Sequence, residues 1–262
     1  MKIKHLASNE NMLRYALIAT LLVFGFLYNK AHRVKMRSLT GQLNVHVKHL
    51  ESGNDFITGE EMRTRITNKF QSEFANKPIG SLSPIEIESG LKSMDFVKSA
   101  DVYVDANSRL NVLVTQREPI LRIINHEGYS LYVDKDGTTM PASLHYSPRV
   151  LVAYADVPNT IDTLSLNRPG VQSDLFKLTH IIREDRFLNT LIEQMATDND
   201  GDWILVPKLG PSKIRIGGLD NMDEKVESIK KVYKKILPAE GWDKYSVINL
   251  KFKGQVICTK KT

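Results

Sequence analysis

From Met12 to Tyr28 the chain carries no charge except Arg14. As a helix this run covers about 25 Å, slightly less than a bilayer core, and it predicts a single membrane anchor over residues 12–28. Tyr15 and Tyr28 stand where interfacial aromatics are expected, and Arg14 can lift its guanidinium to the headgroups while its stem stays apolar. Two rivals suit the same run: the apolar stretch of a secretory signal, and a buried core helix. The bulky, charged NKAHRVK that follows has no small-residue cleavage pattern, and charges crowd both ends. Residues 1–11 then form a short tail and residues 29–41 a basic connector.

Beyond residue 41 the hydrophobic period falls to two. Leu43, Val45 and Val47 alternate as a strand. Thr58 with Glu61 is a capping box that opens a helix through about Phe70, with Met62, Ile66 and Phe70 on one face. Ser83-Pro84-Ile85-Glu86 starts a second helix, whose buried stripe is Ile87, Leu91 and Met94. Ala100, Val102 and Val104 alternate, Asp105–Ser108 reverses the chain, and Leu110, Val112 and Val114 alternate back. The order is β-α-α-β-β over residues 42–117, closed by Glu118-Pro119, because proline cannot continue a central strand.

Residues 118–262 read as a second domain. Leu121–Ile124, Tyr129–Val133 and Pro148–Tyr154 suit strands, and Asp134–Gly137 suits a hairpin turn. Asp156–Gly170 is polar and predicts a surface loop. Leu175, Leu178 and Ile182 mark a helix, while Phe187–Met195 has no single period. Trp203–Pro207 and Lys213–Ile216 are further strands. Met222–Leu237 is the clearest helix, with Val226, Ile229, Tyr233 and Ile236 at helical steps. A last strand runs from Tyr245 to Cys258 with Ile248, Leu250, Phe252, Val256 and Cys258 in one phase, and a bulge or tight turn is expected at Gly254. The expected fold class is α+β: an anchor, a β-α-α-β-β module, and a mostly antiparallel β domain with helices.

Charge changes this picture in one respect. The net charge of the 262 residues is +6, but residues 1–37 hold seven Lys/Arg against Glu10, so the remainder is neutral. The basicity flanks the apolar run, and a nucleic-acid partner loses its main support. Basic residues on the two sides of that run are nearly balanced, so charge alone leaves the orientation open. With 42% hydrophobic and 25% charged residues, the chain is neither disordered nor a many-span transporter. One cysteine, Cys258, excludes an internal disulfide and a multi-thiolate zinc site within one chain.

Candidate chemistry is sparse. No G-x-S-x-G, H-E-x-x-H or G-x-x-x-x-G-K-[ST] occurs. His46 and His49 lie in a strand pattern and point to opposite faces. Asp134 and Asp136 suit turn formation better than a calcium loop, which needs more oxygen ligands. Gly217-Gly218 reads as a turn, Cys258 as a small buried hydrophobe rather than a nucleophile, and Lys230, Lys231, Lys234 and Lys235 as a solvated helix face. The expectation is a protein without catalytic, cofactor or metal residues. An anchored hydrolase would instead need a cleft of convergent carboxylates or histidines with mutually shifted pKa values.

Leu82–Ile123 resembles the bacterial cell-division family FtsQ, called DivIB in Gram-positive organisms. Phe96-Val97-Lys98-Ser99-Ala100 matches the family's entry to a strand, and Arg117-Glu118-Pro119 its closing basic-Glu-Pro. Leu131-Tyr132-Val133-Asp134-Lys135-Asp136-Gly137 matches its hairpin. The resemblance implies a POTRA module over 42–117 and an FtsQ-type β domain over 118–262. Within the module Phe96, Val97, Ala100, Arg117, Glu118 and Pro119 would be structural or docking positions. It further implies an inner-membrane scaffold of the division septum, with a cytoplasmic N-terminus and an extracytoplasmic remainder. The implied partners are bitopic proteins like FtsB and FtsL, received by edge pairing at Tyr245, Ile248, Leu250, Phe252, Gly254 and Gln255. The alternative is a POTRA-containing accessory factor in protein export or envelope assembly, which repeated POTRA units or a C-terminal barrel would favour.

Overall fold

The computed structural model describes residues 3–70, 74–143, 146–155 and 170–261. The chain divides into two compact units. The first is Met1–Lys48 with Ile57–Gln116, and the second is His49–Phe56 with Arg117–Thr262. The loop expected over Asp156–Gly170 lies outside the described residues apart from Gly170.

In the first unit a long helix α1 (Ile3–Arg37) precedes strand β1 (Leu43–Lys48), α2 (Gly59–Phe70), α3 (Pro84–Lys92), β2 (Val97–Val104) and β3 (Leu110–Gln116). The strands form one sheet in the order β1-β3-β2. β1 runs parallel to β3, with Val45 beside Val112, and β2 runs antiparallel to it, with Val102 beside Val112. Both helix starts form as their sequences dictate. The Glu61 amide donates to Thr58 Oγ1 and the Thr58 amide to Glu61 Oε2, and the Glu86 amide donates to Ser83 Oγ. Met62, Ile66, Ile87 and Leu91 bury against Val97, Ala100, Leu110, Val112 and Val114. On β2 the Val102 amide is taken by Glu88 Oε1 at 2.9 Å, so part of that edge is already satisfied.

The connector expected over 29–41 is mostly helical, because α1 continues to Arg37. Lys35 and Arg37 in its last turn oppose the negative end of the helix dipole. Among the described residues no helix is long and apolar enough to cross a membrane. The span expected over Met12–Tyr28 is therefore not an established element of the fold. Arg14 and Asn29-Lys30 bracket an uncharged run of fourteen residues, about 21 Å of helix against a bilayer core near 30 Å.

The second unit is built on a nine-stranded sheet. Its strands are β4 (Pro119–Ile124), β5 (Ser130–Asp134), β6 (Thr139–Pro141), β7 (Leu151–Tyr154), β8 (Ile192–Thr197), β9 (Trp203–Pro207), β10 (Lys213–Gly217), β11 (Tyr245–Asn249) and β12 (Ile257–Lys260). Their order is β12-β11-β10-β9-β8-β7-β4-β5-β6. The sheet is mixed: five of its eight strand pairs are antiparallel, in keeping with the expectation, while β4 and β7, β7 and β8, and β10 and β11 pair in parallel. Parallel neighbours need crossovers, and helices α4 (Val171–Glu184) and α5 (Arg186–Leu191) lie between β7 and β8 in the chain. The ambiguous stretch Phe187–Met195 is therefore the end of α5 followed by the start of β8. Leu175, Leu178, Ile182 and Leu188 join Leu121, Ile123, Ala153, Met195, Leu205 and Ile214 in one core.

One turn chemistry recurs four times. Asp105, Asn125, Asp134 and Asp198 each accept, through Oδ1, the amides two and four residues on. The fourth residue of each turn is left-handed: Ser108, Gly128, Gly137 and Gly201. A side-chain acceptor and a residue tolerant of positive φ together specify a tight reversal. The turn expected at Asp134–Gly137 is one of these four.

The helix expected over Met222–Leu237 is not uniform. It comprises α6 (Met222–Lys231), a π-helical turn Val232–Ile236, and α7 (Leu237–Glu240). Pro238 has no amide to donate back along the helix. The wider turn lies just before it, and the Leu237 amide reaches back five residues to Val232 O.

Candidate functional site

The last strand expected from Tyr245 to Cys258 is two strands. β11 and β12 form an antiparallel hairpin, with Ile248 opposite Cys258 and Asn249 opposite Ile257. β11 lies inside the sheet, parallel to β10 on its other side, with Ile214 beside Ile248. β12 ends the sheet, and its outer edge pairs with no other strand among the described residues. An open edge leaves backbone donors and acceptors available to another chain.

This placement separates the six candidate partner-binding residues into two groups. Ile248 is fully buried and Leu250 is 2% exposed, so both belong to the core. Tyr245 is half-buried and packs against that core. Phe252, Gly254 and Gln255 occupy the connection between the strands and are exposed. Gly254 is left-handed, with φ 70°, and the Gln255 amide closes the turn on Phe252 O at 3.2 Å. Phe252 is 51% exposed and Ile257, on β12 itself, 45%. With Val256 they form an apolar fringe beside the open edge. Ile257 escapes a count by phase, because the reversal hides which strand is outermost. Cys258 is half-buried and its thiol is pushed up by burial, which disfavours the reactive thiolate.

A charge network anchors the hairpin from below. The Leu250 amide donates to Arg215 O at 2.8 Å, and Lys251 Nζ reaches Asp202 Oδ2 at 2.8 Å. Arg215 Nη2 lies 2.9, 2.8 and 2.7 Å from carboxylate oxygens of Asp198, Asp200 and Asp202. The three carboxylates are close enough together to suit a metal ion. Their charge is instead met by Arg215 and Lys251, so the arrangement is a structural ion-pair network. The Lys251 hydrogen bond, opposed by burial and aided by Arg215, holds the Asp202 carboxyl below its ordinary 3.8. A depressed carboxylate stabilises the fold above its unfolded pKa and loses that contribution as pH falls through the folded value. Urea midpoints followed by Trp203 and Trp242 fluorescence are therefore expected to drop more steeply with acidification below about pH 5 in the wild type than in Asp202→Asn. Parallel acid limbs would remove Asp202 from the account.

The other candidate positions are structural. Phe96, Val97 and Ala100 are buried in the first unit. Arg117, Glu118 and Pro119, grouped with the first module from sequence, act in the second unit. Arg117 Nη1 donates to Asp134 Oδ2 at 2.8 Å, and Glu118 Oε1 accepts the Glu51 amide at 2.6 Å. Pro119 opens β4, where a missing amide is tolerated. The closing basic-Glu-Pro and the hairpin aspartate, far apart as motifs, thus meet in one ion pair. His49 bonds Asp55 at 2.6 Å and does not converge with His46 on any site. Within the lysine face, Lys230 is held by Asp185 and Glu227, and Lys234 lies over the Phe187 ring.

A β-α-α-β-β module followed in the chain by a mixed-sheet domain defines a class: proteins that join a POTRA-like module to a C-terminal β domain. Residues 39–115 match the POTRA-like domain, and residues 118–259 match the family described as FtsQ/DivIB, C-terminal related. No curated protein matches the sequence. The chain belongs to the FtsQ/DivIB C-terminal-related family, as a divergent member.

Proposed function

We propose that the protein is a non-enzymatic, membrane-attached docking protein of the division site, which receives bitopic partners of the FtsB and FtsL type along the outer edge of β12. The open edge beside exposed Phe252, Val256 and Ile257 carries this reading. Strand addition would satisfy the edge backbone, and the apolar fringe would discriminate between partner side chains. The membrane attachment proposed is α1. Leu17, Leu21, Leu22, Phe24 and Phe26 are all exposed around its circumference, whereas a water-facing helix normally hides one apolar stripe and leaves the rest polar. Arg14 and Lys30, extending toward headgroups, lengthen the reach of the uncharged run. Family resemblance supports a cytoplasmic N-terminus and extracytoplasmic units.

The test is a functional fluorescent fusion in dividing native cells, run beside Phe252→Asp and Ile257→Asp. Midcell signal is expected, and each variant should stay folded while losing at least tenfold in co-purified bitopic partner. Intact complexes would sink the edge assignment. Signal spread evenly round the envelope throughout constriction would instead favour an export or envelope-assembly role. Alkaline carbonate extraction should leave the chain in the membrane pellet, and its release would remove α1 as the anchor.

A further inference from the structure

The second unit contains a groove of about 590 Å³ away from the β12 edge. It is lined by Arg122 of β4, Arg149 before β7, Arg183 at the end of α4 and Lys208 after β9, with Glu193 of β8 as the lone acid in its wall. Arg149, Arg183 and Lys208 have no ion-pair partner among the described residues. Arg122 is held in place: its Nε donates to Ser130 Oγ at 2.8 Å and its guanidinium lies 5.7 Å from the Tyr132 ring centre. Its remaining donors stay available. Other arginines and lysines of this unit are paired where carboxylates face them: Arg117 with Asp134, Arg215 with three aspartates, and Lys230 with Asp185 and Glu227. Leaving four cations around one concavity raises the local positive potential and attracts anions.

We infer that this groove binds a compact ligand carrying several negative charges, of the diphosphate class. Four cations from four separate elements converge on one cavity. That arrangement matches a single multiply charged group better than carboxylates strung along an extended acidic peptide. Three of the four are arginines, whose planar donor forks pair bidentately with phosphate oxygens. The volume lies within the range of small-ligand sites. Val150, Val152 and Ile192 supply apolar wall between the cations, which leaves room for an uncharged portion of the ligand.

The probe is inorganic pyrophosphate, titrated calorimetrically into the full chain in detergent micelles at low salt. One-to-one binding is expected. Arg149→Gln combined with Arg183→Gln should weaken it at least tenfold with an unchanged thermal midpoint, since both side chains are exposed. Glu193→Gln should tighten it several-fold, a gain that a merely structural role for these residues would not produce. Raising salt should weaken wild-type binding more steeply than binding by the double variant. Binding that the double variant leaves intact would place the anion elsewhere and overturn the inference. So would hexaglutamate binding more tightly than pyrophosphate, in favour of an acidic peptide. An absence of heat up to roughly 10 mM pyrophosphate would overturn it outright.

Discussion

Arg117→Met is expected to destabilise the second unit by about 3 kcal/mol, because it strands a buried carboxylate. The Asp134 side chain is 2% exposed and that of Arg117 16%. Asp134 Oδ1 would keep its two turn amides, from Asp136 and Thr138, but Oδ2 would lose the 2.8 Å bond from Arg117 Nη1. A buried charge left without its partner costs far more than the intact pair contributes over a neutral replacement. Arg117 Nε has no hydrogen-bond partner, so the native pair is itself imperfectly compensated. Pairing the change with Asp134→Asn should therefore restore most of the loss, since asparagine keeps the Oδ1 acceptor and removes the stranded charge. Both tryptophans, Trp203 and Trp242, lie in the second unit, so urea titration followed by fluorescence reads this unit alone. A double variant no more stable than Arg117→Met would show that the cost lies in lost packing of the arginine stem and not in charge.

That ion pair also marks what the sequence could convey. Motifs whose parts lie within four residues are legible: the capping box at Thr58 and Glu61, the cap at Ser83, and the aspartate turns at Asp105 and Asp134. In each, a side chain and the amides it satisfies are close in the chain, so residue type and spacing carry the geometry. Arg117 and Asp134 each belong to a recognisable motif, but nothing local says that they touch. The parallel pairs of β7 with β4 and β8 are hidden in the sequence for a related reason. Short apolar strands give no sign of direction, and α5 merges into β8 at Leu191–Ile192 without a polar break. The groove cations fared worst. Arg122, Arg149, Arg183 and Lys208 share no spacing, and only the folded sheet gathers them. The membrane question rests on physical length: the apolar pattern of Met12–Tyr28 is plain, while Arg14 and Lys30 decide how much of it a bilayer can hold.

The hairpin is the sharpest case, and it yields the second large effect. Ile248 and Cys258 face each other across β11 and β12, so both keep one phase through the reversal, and a period-two count runs straight past the turn. On a single last strand, the family resemblance places Leu250 among the edge positions open to a partner. Its burial predicts instead that Leu250→Ala costs about 3 kcal/mol of second-unit stability, as for other large-to-small core changes. Ile257→Ala, at a half-exposed place on the outer strand, should cost less than about 1 kcal/mol. Urea titrations of the two variants, again by tryptophan fluorescence, check the difference. Equal costs would mean that β12 is packed as deeply as β11 and that the edge is covered. The asymmetry decides how partner binding must be probed. Loss of a partner in a Leu250 variant reports unfolding as readily as a lost contact, whereas the same loss in a folded Ile257 or Phe252 variant can arise only at the surface those side chains share with the partner.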